Sequence, residues 1–87
     1  MVDEKYSRSY DVTVVPVKSE MFLVRRSQAF RVNETGLNIW NRLEGNVTGA
    51  ELAVDVAAKY GIDEAVASRD VQEFIQELKQ RRLVEVD

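Results

Sequence analysis

The stretch FRVNETGLNIW, residues 30–40, decides the fold. Phe30 and Val32 alternate with Arg31, the two-residue period of a strand. The period then changes. Asn33 is a good helix N-cap, and Glu34 falls in the first turn, where the helix dipole favours an acid. Leu37, Trp40 and Leu43 recur at three-residue spacing, with Ile39 beside Leu43, and together make an apolar stripe. A strand therefore hands over to a helix at Asn33.

Upstream the chain reads as strands. Residues 1–10 are polar and mixed in charge, the pattern of a flexible N-terminal arm. DVTVVPV (11–17) is short and β-branched, and Pro16 confines it to an edge or to a strand end. MFLVRR (21–26) and AFRV (29–32) form a predicted hairpin around Ser27 and Gln28. That turn lacks Gly or Asn, so its register stays open. With a two-residue loop, Leu23, Phe30 and Val32 share one face, and Phe22, Val24 and Arg31 share the other.

Downstream everything reads as helical. Gly45 is a stop for the first helix. Thr48 and Glu51 fit a capping box that opens a second helix through Leu52, Val56 and Tyr60, stopped by Gly61. Asp63 or Ser68 caps a third, whose stripe is Ala67, Val71, Phe74, Ile75 and Leu78. After Arg82 the tail LVEV is extended or disordered. Three short N-terminal strands followed by three helices predict an α+β fold. Short linkers at 45–47 and 61–63 make the last two helices a helix-turn-helix and the whole winged-helix-like. Residues 11–87 are expected to form a single domain.

Composition narrows the function. The chain has 87 residues, no cysteine and no histidine. No disulfide framework supports it, and the commonest general base and metal ligand is missing. Its 45% hydrophobic content suffices for one core. Neither a Gly-rich phosphate loop nor a metal-ligand cluster is present, so no cofactor is implied and an independent enzyme is not expected. No apolar run approaches the roughly 18 residues of a membrane span, and the N-terminus has no secretory h-region. The expected address is the cytoplasm, with no membrane partner.

Charge argues against nucleic acid. Residues 1–43 hold seven Lys/Arg against five Asp/Glu, whereas residues 44–87 hold five against ten. A winged helix would place its third helix in the major groove. Here that segment carries Asp63, Glu64, Asp70, Glu73 and Glu77 against Arg69, a face that repels phosphate. DNA binding or a transcription-associated role is therefore the runner-up, and a dimer formed by edge pairing is a third class. The leading class is a binding module. An uncovered sheet edge offers unpaired N–H and C=O groups to which an extended peptide can add as a further strand.

FRVNETGLNIWNRLEG, followed by TGAELAVDVAAKYGID and DVQEFIQELKQRRLV, resembles the PqqD family over roughly residues 12–84. These are coenzyme PQQ synthesis protein D and its relatives, peptide-recognition elements of ribosomally made, post-translationally modified peptide (RiPP) pathways. The ordered set Val32, Asn33, Glu34, Thr35, Gly36, Trp40, Gly45, Thr48, Glu51, Leu52, Tyr60, Gly61, Asp70, Val71, Phe74 and Leu78 carries the likeness. The resemblance implies that the leader segment of a precursor peptide docks between the third strand and the third helix. The module then presents the core segment to a modifying enzyme, such as a radical SAM protein or a leader peptidase. On that basis the candidate site residues are Ala29, Phe30, Arg31 and Val32 on the strand, with Val71, Ile75, Leu78, Lys79 and Arg82 on the helix. Arg31, Lys79 and Arg82 would favour Asp or Glu in the peptide, while Ile75 and Leu78 either meet aliphatic anchors with an exposed part or lie wholly in the core. Many relatives have Gly where Arg82 stands, and Arg25, Arg26 and Arg31 look particular to this chain. The resemblance does not choose among PQQ, lasso-type and other pathways.

Overall fold

The computed structural model describes residues 4–86. Four strands come first: β1 (Lys5–Arg8), β2 (Thr13–Val17), β3 (Glu20–Arg25) and β4 (Gln28–Val32). They are followed by α1 (Glu34–Asn41), β5 (Glu44–Thr48), α2 (Gly49–Tyr60), α3 (Glu64–Gln80) and β6 (Val84–Val86). The class is α+β, but three N-terminal strands followed by helices is not the order observed. Six strands form two three-stranded antiparallel sheets, β5-β1-β6 and β2-β3-β4.

The unexpected strands are those with weak local signals. Residues 5–8, expected in the flexible arm, form β1 with a single large apolar side chain, Tyr6, which is buried. Residues 1–3 of that expected arm lie outside the described residues. The expected linker 45–47 belongs to β5. Gly45, expected as the stop of the first helix, lies inside β5 at φ 82°, where the register with β1 shifts, and α1 ends earlier, at Asn41 with Arg42 as its C-cap. The tail forms β6. Each of these strands is held by partners distant in sequence: Ser7 lies opposite Glu44 on one side and Glu85 on the other. Burial pushes the Tyr6 phenol pKa up, and Glu4 adds to this through a hydrogen bond and its charge.

The second sheet is two successive hairpins. Val17 pairs with Glu20 and Arg25 with Gln28, so the loops are Lys18–Ser19 and Arg26–Ser27. Lys18 and Arg26 take positive φ, 57° and 56°, where glycine is the ordinary occupant. The second turn lies one residue earlier than expected. The slide changes the opposite pairs but not their parity. Leu23 still shares a face with Phe30 and Val32, and Phe22 still shares one with Arg31. Leu23 is fully buried, which makes its face the inner one.

Three caps begin the helices. Asn33 accepts from the Gly36 N–H at 2.8 Å, Thr48 and Glu51 form the reciprocal capping box, and Asp63 accepts from Ala65 N–H. Gly61 closes α2 in the left-handed conformation. Helices α2 and α3 pack together through Leu52, Ala53 and Val56 on one side and Ala67, Val71, Ile75 and Leu78 on the other; Trp40, Leu43 and Leu83 belong to the same core. Thr48→Ala should cost about 1 kcal/mol, because one of two reciprocal cap bonds is lost at an exposed helix start. Urea unfolding with an unchanged m-value would measure it.

Candidate functional site

Strand β4 is the outer strand of its sheet. With Arg25 and Gln28 closing the turn, ladder bonds to β3 fall at Gln28, Phe30 and Val32. Ala29 and Arg31 therefore direct their N–H and C=O groups away from β3, toward the free edge. The Phe30 ring packs against the core from its margin.

Helix α3 supplies the wall beside that edge. Its core stripe is Ala67, Val71, Ile75 and Leu78, and at about 100° per residue the neighbouring stripe is Asp70, Phe74, Glu77 and Arg81. Two contacts turn that second stripe toward β4. The Arg81 guanidinium lies over the Phe30 ring, 4.3 Å from its centroid. The Phe74 ring lies against Gly36 at the start of α1, where a Cβ would come 3.1 Å from the ring and 3.2 Å from the Asn33 cap oxygen. Gly36 is therefore required for space: it lets α3 approach the strand-to-helix junction while Asn33 caps α1. An open depression of about 400 Å³ lies there, lined by Asn33, Gly36, Asp70, Glu73, Phe74 and Glu77 among others.

The structure distributes the helix side of the expected site over several faces. Val71, Ile75 and Leu78 are 1%, 4% and 2% exposed and hold α3 in the core, although Val71 and Ile75 also line, with Tyr6 and Lys79, an open depression of about 400 Å³ on the β1 side of α3. Lys79 lies about 200° around the helix from Arg81. It faces the other sheet, with Nζ 5.9 Å from the Tyr6 ring centroid. Arg82 follows α3, and its carbonyl accepts from Arg25 Nη1 at 2.7 Å and from the Ser9 hydroxyl at 3.1 Å. Ala29, Phe30, Arg31 and Val32 do lie on one strand with an open edge. Arg31 pairs with Glu20 at 2.8 Å on the outer face of the sheet. The trio Arg31, Lys79 and Arg82 thus does not line one groove, and the wall between is acidic at Asp70, Glu73 and Glu77.

The sequence reading did not single out Asp70, Glu73, Glu77 or Arg81 beside β4, and it put Phe74 on the apolar stripe of α3 with Val71 and Ile75. The available signal was angular. Phe74 sits about 60° from Val71 on the helical wheel, at the border of the core stripe, with Arg81, Asp70 and Glu77 just beyond it. A smaller cavity of about 140 Å³ lies between α1 and α2. Its rim is tied by Asn38, which donates to the Tyr60 hydroxyl at 2.7 Å, and by the Arg42–Asp55 ion pair. Among the described residues no group of three or more His, Cys, Asp or Glu is placed to hold a metal ion, and no helix is long and apolar enough to cross a membrane.

Known proteins share this architecture. The family model of coenzyme PQQ synthesis protein D (PqqD) matches residues 16–84. The PqqA binding protein of Rhizobium meliloti (strain 1021) is 28% identical over 82 residues, which cover 94% of this chain and 84% of that protein. TbiB1, solved in complex with the TbiA(beta) leader peptide, superposes with a TM-score of 0.75 at 25% identity, covering 91% of this chain and 94% of its own. The PqqD truncation of Methylobacterium extorquens PqqCD, a stand-alone RiPP recognition element, has the same fold. Its TM-score is 0.82 at 16% identity, over 98% of this chain and 93% of that one. The family match runs from β2 through all three helix caps to the first residue of β6, so this chain belongs to the PqqD family.

Proposed function

We propose that this protein binds the leader segment of a ribosomally made precursor peptide and presents the precursor to a modifying enzyme. The leader adds as a strand to the free edge of β4, with the Asp70–Phe74–Glu77–Arg81 face of α3 as the second wall. The observation that carries this reading is the open β4 edge, whose Ala29 and Arg31 backbone groups point away from β3 and meet no other strand among the described residues. An extended peptide would pair its main chain there and set alternate side chains against Phe30 and Phe74. The binding described for the PqqA binding protein and for TbiB1 supports the reading. The acidic exposed side of α3 weighs against a duplex nucleic acid.

The module has no catalysis of its own in this reading; the sequence holds neither histidine nor cysteine to supply a nucleophile or base. The enzyme it serves is a peptide-modifying one, such as a radical SAM protein or a leader peptidase, and the encounter takes place in the cytoplasm. We infer that β1 and the 11–87 segment work as one recognition unit, because Tyr6 shares the core with α3.

Amide hydrogen exchange tests the binding mode. On saturation with the leader peptide, the Ala29 and Arg31 amides should gain about tenfold or more protection, because they become ladder donors. Signals of Phe74 and Arg81 should shift together with them. Residues 52–60 should stay unchanged. A response confined to 52–60 would move the site to the α1–α2 cavity and sink the β4 assignment.

A further inference from the structure

Two arginines occupy backbone positions that disfavour them. Arg26, in the β3–β4 turn, has φ 56°, and Arg82, just past α3, has φ 58°. At such angles the Cβ of an L residue crowds its own backbone, and glycine or asparagine is the easier occupant. Both arginines line one open cavity of about 390 Å³ between the hairpin turn and the end of α3, together with Arg25, Ser27, Gln28 and Arg81. Four arginines therefore line one cavity, and no carboxylate is among its lining residues. Arg25 is committed, with Nε on Asp11 at 2.9 Å and Nη1 on the Arg82 carbonyl. Arg81 has Glu77 at 3.5 Å. Arg26 and Arg82 form no ion pair with a described residue.

The cavity also has a position along the groove. It includes Gln28, the first residue of β4, whereas the depression at the other end of β4 holds Asp70, Glu73 and Glu77 beside Asn33. The two ends of the β4–α3 groove thus carry opposite charge. A peptide lying along it meets cations at the turn end and carboxylates at the α1 end.

We propose that the Arg26–Arg81–Arg82 cavity is an acid-binding subsite of the groove: it takes a carboxylate from an Asp or Glu of the docked peptide, just beyond the segment paired with β4. The planar guanidinium forks match a carboxylate in bidentate geometry, which a scattered set of lysines would not. The subsite fixes the direction and register of the peptide, because only one end of the groove accepts an acid. The inference rests on the peptide-binding reading and sharpens it to a charge pattern in the ligand.

Glycine is the informative replacement. In Arg26→Gly and Arg82→Gly, each substitution removes a cation and suits the local φ, so the melting temperature should hold or rise; Arg26→Asn and Arg82→Asn serve as a second pair. The probe is a display library of random peptides about ten residues long, enough for one strand and its flank, selected on the full chain. Selected peptides should shift the Ala29 and Arg31 amides and carry Asp or Glu at one constant end. The double glycine variant should bind those peptides about tenfold more weakly, and the difference should shrink as salt rises. Peptides that bind at β4 without an acidic end, or acidic peptides bound equally well by the double variants, would overturn the subsite and leave strand addition standing. Selected peptides that shift no β4 amide would overturn the subsite and the peptide-binding reading together.

Discussion

Trp40→Ala should cost about 3–5 kcal/mol and unfold much of the protein. Trp40 is 3% exposed, in the same core as Leu43, Leu52 and Val71. Alanine would remove the largest side chain in the sequence and leave a cavity that the surrounding helices can close only in part. The protein has little margin to absorb this. Small domains bury a modest share of their surface, and a typical net stability is only about 5–15 kcal/mol. No disulfide offsets the loss, since the chain has no cysteine. Urea unfolding followed by far-UV circular dichroism measures the change, with Trp40→Phe expected in between. Loss of peptide binding in Trp40→Ala would then follow from unfolding and would say nothing of the site. A stably folded Trp40→Ala that had lost only binding would instead move Trp40 into the site.

The largest expected effect on binding is that of Arg31→Pro. The Arg31 N–H points off the free edge, so proline there removes no ladder bond to β3, and an edge strand tolerates it. The lost ion pair to Glu20 is an exposed one, worth about 0–1 kcal/mol. The fold should therefore survive. A peptide added to β4 would lose the N–H donor, and its own carbonyl would be left without a partner at a cost of about 1–3 kcal/mol. Affinity for the leader should fall about tenfold to hundredfold. Arg31→Ala separates charge from backbone and should bind nearly as the parent does. Phe30→Pro is the opposite control: it deletes a ladder donor and a ring packed on the core, and should unfold the β2–β4 sheet. Fluorescence anisotropy with labelled leader reads all three. Unchanged affinity in a folded Arg31→Pro would exclude strand addition at β4.

Much of the helical half was legible because its signals are local. Asn33, Thr48, Asp63 and Gly61 act within three or four residues, and each cap appears where its side chain or conformation demands. The β3–β4 faces were legible for a related reason. Side chains alternate with period two, so a turn displaced by one residue left Leu23 with Phe30 and Phe22 with Arg31. The register itself was not legible, because Arg26 occupies a turn position at which glycine would have marked the site.

The sequence by itself determined the caps, the helical stripes, the alternating faces of the β3–β4 hairpin and the acidic side of α3. Tertiary structure alone decided the rest. Strands β1, β5 and β6 contain few apolar residues, and they exist because Ser7 finds Glu44 and Glu85 across the fold, contacts that no short window contains. The helix side of the site was decided by rotation. Val71, Ile75 and Leu78 turn into the core, Lys79 turns toward Tyr6, and Phe74, Glu77 and Arg81 turn toward β4. A helical period says which residues share a face, but the partners that bury one face choose which neighbouring face remains beside the open edge.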